Sequence, residues 1–238
     1  VTGASSVDVI AKHRADLLTK SGSGGLGIGV IGASGTLTVS AGRVEAFVDG
    51  ATIGQADNKV GAVNVIATSV IDNNSDDGRS AHAVGVAGGA ITVVGVSATS
   101  TVNPEIVSAL GQSTQVYSSG AVTVVGQADL EANAVATNIS GGFATFGGSF
   151  ATSTLDPSVV AEVGDGVIVE GASIDLQALN NVDRSGKPLS KISRTHASSG
   201  AGAAVSIVGA SATSEAKGSA VATVGYGASL SATTTDLS

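Results

Sequence analysis

One β pattern recurs four times along the chain, and this repetition limits the fold more than any other feature of the sequence. Each copy carries a glycine at the same place in the pattern, and these marker glycines are 53 to 63 residues apart. Changes in length between copies belong in loops, so the pattern predicts a common unit. A unit that cannot bury its apolar face alone is stabilised by stacking on its neighbours. The marker glycines are Gly32, Gly95, Gly148 and Gly209.

The residues after each marker glycine alternate between small or apolar side chains and hydroxyl side chains. A period of two predicts a strand with an apolar inner face and a Ser/Thr outer face. Every copy has a threonine four residues after the glycine, whereas the threonine two places further on is replaced by Glu215 in the last copy. Stacked at about 4.8 Å, the strand spacing of a sheet, the four threonines would form a hydroxyl ladder. The ladder consists of Thr36, Thr99, Thr152 and Thr213.

Each unit is predicted to contain two more strands. The first strand meets a turn rich in Pro and Gly, and the strand that follows the turn ends on glycine. These second strands are residues 44–48, 107–110, 160–163 and 221–224. A third strand opens each unit at residues 7–11, 63–67, 122–126 and 174–178. The polar stretches that follow it, such as 72–80 and 180–195, vary in length and are predicted to be exposed loops.

The sequence therefore predicts an all-β fold, a β-solenoid that resembles a β-helix and is built from about four repeats of 53 to 63 residues. The three strands of one unit match only across units, which favours one wide coil per repeat. The short turns also suit hairpins, so antiparallel sheets stacked in series remain an alternative. The whole chain, 1–238, is interpreted as one array. Its approximate units are 1–60, 61–119, 120–171 and 172–232, and a fifth unit begins in 233–238 with Asp236 and Leu237.

Composition supports thin layers and excludes several functions. Hydrophobic residues make up 42% of the chain but aromatic residues only 3%, with no Trp and no Met, so closely spaced layers of Ala, Val and Gly are favoured over a rounded core. A net charge of −8 would repel a phosphate backbone, so nucleic acid is not expected as a partner. The chain has no cysteine for disulfides or thiolate metal sites.

No transmembrane segment is predicted in the chain. The uncharged run 83–103 is long enough to span a bilayer, but glycines and hydroxyl residues interrupt it, and similar runs recur in each unit. We interpret it as a buried pair of strands. The chain begins at Val1 without a charged and apolar leader, so we expect any signal peptide to lie outside this sequence or to have been removed.

Three stretches carry a resemblance to a known family: Gly147-Gly148-Ser149-Phe150-Ala151-Thr152, Ala161-Glu162-Val163-Gly164-Asp165-Gly166-Val167 and Ala172-Ser173-Ile174-Asp175-Leu176-Gln177-Ala178. With them the chain resembles the repeat region of large bacterial filamentous adhesins of the fusobacterial leukotoxin type, which are autotransporter-like surface proteins. The resemblance covers nearly the whole chain. It implies secretion to the cell surface, an extended β array and a role in attachment, and it supplies no catalytic residues.

Candidate sites are few. The stretch Asp72–Gly78 is dense in acidic oxygens, which suits either a solvated turn or a weak Ca²⁺ site, although its glycine is one place late for an EF-hand loop. His82 and His196 occupy one column of the repeat, with Val135 between them, which favours surface residues over a metal pair; His13 lies outside this column. The glycine-rich stretch 22–32 precedes a strand rather than a helix, so a dinucleotide site is not predicted.

No combination of nucleophile, base and acid is predicted, so the chain is not expected to be an enzyme or to hold a cofactor or metal. The main hypothesis is a structural or adhesive segment of an extracellular bacterial filament that assembles end to end with neighbouring repeats or subunits. Host or cell-surface glycans or proteins are candidate partners. The alternative is a module that binds carbohydrate or ice through the Ser/Thr ladder. Sugar sites usually use exposed aromatic side chains for stacking, and the chain offers only Tyr117 and Tyr226 besides four phenylalanines.

Overall fold

The structure, a computed structural model, describes residues 1–72, 80–191 and 193–233. All regular secondary structure in these residues is β, in sixteen strands. The first eight strands are β1 Ser6–Asp16, β2 Thr19–Ser40, β3 Arg43–Val48, β4 Thr52–Ile53, β5 Ala62–Asp72, β6 Ala81–Val102, β7 Glu105–Leu110 and β8 Gln115–Tyr117. The remaining eight are β9 Ala121–Leu130, β10 Ala132–Leu155, β11 Ser158–Val163, β12 Ile168–Gly171, β13 Ser173–Asn180, β14 Ser193–Ala216, β15 Ser219–Val224 and β16 Ser229–Ala232.

The strands form four sheets, and each sheet takes one strand from every unit. Their orders are β1-β5-β9-β13, β14-β10-β6-β2, β15-β11-β7-β3 and β16-β12-β8-β4. We number the units one to four, so that unit one holds β1 to β4 and unit four holds β13 to β16. All pairings between these strands are parallel. The fold is therefore all-β with stacked parallel sheets, and the antiparallel alternative is wrong.

The predicted second strands are confirmed as β3, β7, β11 and β15. The predicted third strands are confirmed as β1, β5, β9 and β13. The strands β4, β8, β12 and β16 were not predicted, because they hold only two to four residues and follow a glycine turn. The largest difference concerns the glycine-rich stretches such as 22–32, which lie inside strands of 22 to 24 residues.

Each of these long strands doubles back on itself. Thr19 and Thr38, near the two ends of β2, are in hydrogen-bond contact through their hydroxyl groups. The buried positions change parity across the middle of β6, from odd-numbered residues to even-numbered ones. The strand pairing also skips one residue per strand there. The bend therefore lies at a column of residues formed by Ile28, Ala90, Phe143 and Ala204.

We call the doubled layer formed by β2, β6, β10 and β14 the fin. Its outgoing half is residues 19–27, 81–89, 134–142 and 195–203, and its returning half is 29–40, 91–102, 144–155 and 205–216. The fin has its own small-residue core of Ala and Val, in which Ala83, Ala98, Ala136 and Ala151 are buried. The uncharged run 83–103 thus forms a pair of strands as predicted, but its outer faces are not buried.

A separate core lies between the other three sheets. It is built from larger side chains such as Ile71, Ile106, Leu110 and Leu130, each fully buried. β-branched residues fit this interior because they pack well on a pleated surface. The base of the fin closes one side of this core through Val102 and its neighbours.

The predicted threonine ladder is correct in three units and wrong in the first. Thr152 pairs with both Thr99 and Thr213, but Thr99 lies opposite Leu37 rather than Thr36. Strands β2 and β6 pair in one register along their whole length, and this register places Ala33, not the marker glycine Gly32, opposite Gly95. Only a bulge in one strand could bring the two marker glycines opposite each other. A slip of one residue turns a side chain to the other face, so Thr36 points into the fin and is buried.

Candidate functional site

The most distinctive surface of the molecule is the outer face of the returning half of the fin. Its outward positions are the odd-numbered residues 29–39, 91–101 and 205–215 and the even-numbered residues 144–154. We call this surface the returning face. Its four strands present their side chains in straight columns, because the register is parallel and continuous. Its inner side is covered by the outgoing half, whereas its outer side is open within the described residues.

Large apolar side chains cluster at and near the bend of the fin. Three of the four phenylalanines in the chain lie there, all of them in β10. Such residues normally fill a core, and a contiguous exposed group of them marks an interaction surface. The exposed apolar residues at and near the bend are Leu26, Ile28, Ile31, Ile91, Val93, Phe143, Phe146, Phe150, Val205 and Ile207.

A shallow groove runs across the returning face. It has a volume of about 410 Å³ and passes over Ala33 and Gly95, with Phe150 at its wall. The column that forms its floor continues through Gly148 and Gly209, since these residues are paired in register. Beside it stands a ridge of larger side chains, the column Ile31, Val93, Phe146 and Ile207. The face therefore offers alternating ridge and groove.

Charge is nearly absent from the returning face. Within the described strands, Glu215 is the one charged residue at its outward positions, and Lys217 Nζ lies 2.5 Å from the Glu215 carboxylate. The hydrogen bond from Lys217 to that carboxylate raises the pKa of the lysine. The outgoing half differs, because its outer side carries Lys20, His82 and His196. The net charge of −8 therefore resides elsewhere on the molecule.

The threonine ladder lies on the returning face towards the base of the fin. Thr101 and Thr154 form a second hydroxyl column beside Thr99 and Thr152. Both columns meet apolar side chains in unit one, where Leu37 and Val39 hold the equivalent positions. The second column ends at Glu215, which pairs with Thr154. The outward hydroxyl array is therefore regular only in units two and three.

Acidic and basic side chains meet where β1, β5 and β9 end. Arg14 lies 2.9 Å from Asp72, and Lys191 contacts Asp72 and lies 3.8 Å from Asp129. Burial raises the pKa of Asp129, and burial together with the Arg14 charge lowers the pKa of Lys191. We regard burial as dominant at Asp129, because its Oδ1 has no hydrogen-bond partner and the lysine is too distant to donate one.

The stretch Asp72–Gly78, interpreted from the sequence as either a solvated turn or a weak Ca²⁺ site, lies outside the described residues apart from Asp72. In the described part of the chain, no group of three or more His, Asp or Glu side chains is placed to hold a metal ion. His82 and His196 both pair with Val135, so the predicted histidine column is confirmed, with one strand between the two imidazoles. His13 lies apart from this column and contacts the Ser69 hydroxyl at 3.2 Å.

The two end units expose groups that the middle units bury. Val163 of unit three points into the core and is 1% exposed, whereas its partner in the next strand, Val224 of unit four, is 49% exposed. Strands β13 to β16 pair on one side only in the described residues, and so do β1 to β4 at the other end. Within residues 1–72, 80–191 and 193–233, each end of the stack therefore presents open backbone groups and an uncovered inner surface.

The chain matches no protein-family model, no curated protein and no solved structure. In the described residues there is also no helix long and apolar enough to cross a bilayer. Evidence on function therefore comes from the surfaces themselves. The sequence predicted the threonine ladder of units two to four, but it missed the apolar returning face, whose one available signal was the group Phe143, Phe146 and Phe150.

Proposed function

We propose that this chain is a structural and adhesive segment of an extracellular bacterial filament or surface adhesin, and that its repeats form a β-solenoid. Each unit in this proposal is one coil, and coils from neighbouring repeats or subunits add end to end. We infer the location at the cell surface from the resemblance of the repeat to filamentous adhesins. In this role the stack sets reach, and side chains on its faces and loops make the contacts with glycans or proteins.

The observation that carries this proposal is the difference between Val163 and Val224. The two residues occupy one inward column, and only the addition of another unit would bury the second as fully as the first. The transfer of a buried valine side chain from water contributes about 1.5 to 3 kcal/mol, so a row of such positions favours end-to-end growth. Open parallel edges favour the same event, because they are templates for strand pairing.

The ladder geometry identifies residues whose change would block this growth. The Ser219 N–H donates to the Pro157 carbonyl at 2.9 Å, which joins β15 to β11. Alternate residues of a parallel strand bond to opposite neighbours, so Ala220 and Ala222 direct their N–H groups to the open edge. Proline at Ala222 would remove an outward donor while the bonds to β11 remain.

The test is electron microscopy together with light scattering over a range of concentrations. The unaltered segment is expected to form fibres whose length grows with concentration, whereas Ala222→Pro gives short particles. Ala222→Ser, which keeps the N–H, serves as the matched control and should form fibres. A segment that stays monomeric at every concentration would count against the proposal, and so would equal growth of the proline and serine variants.

A second candidate, binding of carbohydrate or ice, is favoured by the paired columns Thr99 with Thr101 and Thr152 with Thr154. Their hydroxyls form a flat outward array at strand spacing, which suits an ordered polar lattice. The test is a glycan array and an ice-recrystallisation assay on the unaltered chain and on the Thr99→Val and Thr152→Val variants. Activity that these variants lose would support this candidate, and blank assays would remove it.

A further inference from the structure

The returning face is a second open surface, distinct from the strand edges at the ends of the stack. We propose that two copies of this chain pack together through their returning faces, so that two fins lie face to face. This lateral contact goes beyond the proposed end-to-end growth and does not depend on it, since it uses a sheet face rather than the strand edges.

The first argument is the exposure of one face of a parallel sheet. Parallel sheets are found with both faces covered, and their strands carry apolar residues on both sides. In the fin the outgoing half covers the inner side of the returning half. The outer side carries Ile31, Phe150 and Ile207, which are 87%, 58% and 67% exposed. This face has the composition of a covered surface.

Charge identifies the occupant as a second copy. A nucleic acid or a charged peptide would need opposite charges, and the returning face offers only Glu215 among its described outward positions. A bilayer surface is bound through basic side chains and interfacial Trp or Tyr, which this face lacks. A second returning face is equally apolar and uncharged. Two copies with a net charge of −8 each can therefore meet here without opposing like charges.

The shape of the face is self-complementary. A two-fold axis parallel to the stack direction would pair each unit with the same unit of the other copy and reverse the strand direction. The ridge column of one copy then lies in the groove column of the other, for example Val93 over Gly95 and Ile207 over Gly209. The floor is open at these two glycines, where nothing lies within 4 Å of an added Cβ. At Gly148 the Phe150 ring lies 3.1 Å from an added Cβ, so this ring must turn aside to admit Phe146 of the other copy.

The area agrees with a specific but modest contact. Four overlapping columns on four strands cover roughly 500 Å² per copy at ordinary strand spacings. The pair would then bury about 1,000 Å², which is near the lower limit for a specific interface. Because each further unit extends the same columns, we expect lateral affinity to rise with the number of repeats.

The test measures association by analytical ultracentrifugation in the Ala222→Pro chain, in which end-to-end growth is blocked. We expect a concentration-dependent dimer. Phe146→Lys on the returning face should weaken it by at least tenfold, whereas Ile139→Lys, on the outgoing face of the same strand, should leave it unchanged. Circular dichroism checks that each variant is folded. If Ala222→Pro is unfolded, Ala220→Pro replaces it as the edge block.

Three results would overturn this proposal while leaving end-to-end assembly intact. They are a monomer at all concentrations in the edge-blocked chain, equal weakening by Phe146→Lys and Ile139→Lys, and binding to phosphatidylcholine vesicles in place of dimerisation. A spin label at Ser97→Cys tests the geometry, since the chain has no other cysteine. The proposed axis places the two labelled backbone positions about 20 to 25 Å apart, from strand rise and sheet spacing; a distance near 10 Å would contradict it.

Discussion

Ser21 and Ser34 are thirteen residues apart in β2, and their hydroxyl oxygens form a 2.7 Å hydrogen bond across the interior of the fin. Unit four has a similar contact, in which the Ser199 hydroxyl donates to the Gly209 carbonyl at 2.6 Å. Small side chains and hydroxyl contacts therefore set the spacing of the two halves. The interior is thin, so it has little room for added volume.

Alanine at Gly85 is expected to destabilise the fin. Gly85 faces inward, and an added Cβ would lie 2.6 Å from a methyl carbon of Val96 and 2.7 Å from one of Val94. Valine is stiff about χ1, so neither methyl can move away without strain. Overpacking of this kind costs about 1 to 3 kcal/mol, which thermal or urea unfolding measures.

Gly95→Ala is the matched control on the same strand. Its added Cβ would have nothing within 4 Å, because Gly95 faces outward. Removing a glycine from a strand interior stabilises the fold by about 0.5 to 1 kcal/mol when the backbone is compatible. If Gly85→Ala unfolds at the same denaturant concentration as Gly95→Ala, the fin interior is less tightly packed than the structure indicates.

Val163 and Val224 lie in one inward column, and changing each of them to alanine should lower the stability of the isolated chain by different amounts. Val163→Ala removes buried methyl groups and is expected to cost about 2 kcal/mol. Val224→Ala removes groups that are half exposed, so its cost should be well under half as large. Urea unfolding at a concentration too low for assembly measures both. In fibres the two costs should become similar, and a persistent difference would show that no further unit covers Val224.

The pairing of units was predictable because equivalent residues recur at every copy. Alternation also placed Val96 and Ala98 inside the sheet and Thr99 outside, as the structure has them. The register of the first unit could not be predicted from its marker glycine. Thr36 and Thr38 have the same spacing as the outward threonines of the other units, but they lie on the inward face of their strand. Only the continuous pairing of β2 with β6 shows the slip.

The fin was predicted only in part: the run 83–103 was interpreted as a pair of strands, but its open outer faces were not foreseen. Glycine has no side chain to show a period, so the stretch from Gly22 to Gly32 shows no strand pattern in the sequence. Glycines such as Gly27, Gly29 and Gly142 flank the bend, but glycine is spread through the whole stretch and therefore does not locate the bend. The apolar returning face was missed for the same reason. In the sequence, Phe146 and Phe150 look like core residues; only the structure shows that the two halves of the fin pack through the opposite face of the strand.

Replacement of Asn181 should uncouple units three and four near the end of β9. Its Oδ1 accepts the Leu130 N–H at 2.8 Å, and its Nδ2 donates to the Leu130 carbonyl at 3.0 Å. Asn181 also has a positive φ of 51°. Asn181→Gly loses the two hydrogen bonds but keeps the backbone, at a cost of about 1 to 3 kcal/mol. Asn181→Ala adds the strain of a positive φ and should be less stable still. Equal stability of both variants in thermal unfolding would contradict the role of φ.

Asp129→Asn is expected to raise the melting temperature at pH 7. Burial raises the pKa of Asp129, so the folded state holds this proton more tightly than the unfolded state does. The stabilising effect of protonation is present below the unfolded pKa and is lost as pH rises through the folded one. The advantage of the asparagine variant should therefore shrink as pH falls from 7 towards 4, which melting curves across that range would measure.

Asp183→Asn provides a control of opposite sign. The Ser185 hydroxyl donates to the Asp183 carboxylate at 2.6 Å, and this bond, with the Lys187 N–H, lowers the pKa of Asp183. Its stabilising effect is present above the unfolded pKa and is lost as pH falls through the folded one, so the asparagine variant should melt lower at pH 7. If Asp129→Asn also melts lower at pH 7, attraction to Lys191 at 3.8 Å outweighs the burial of this carboxylate.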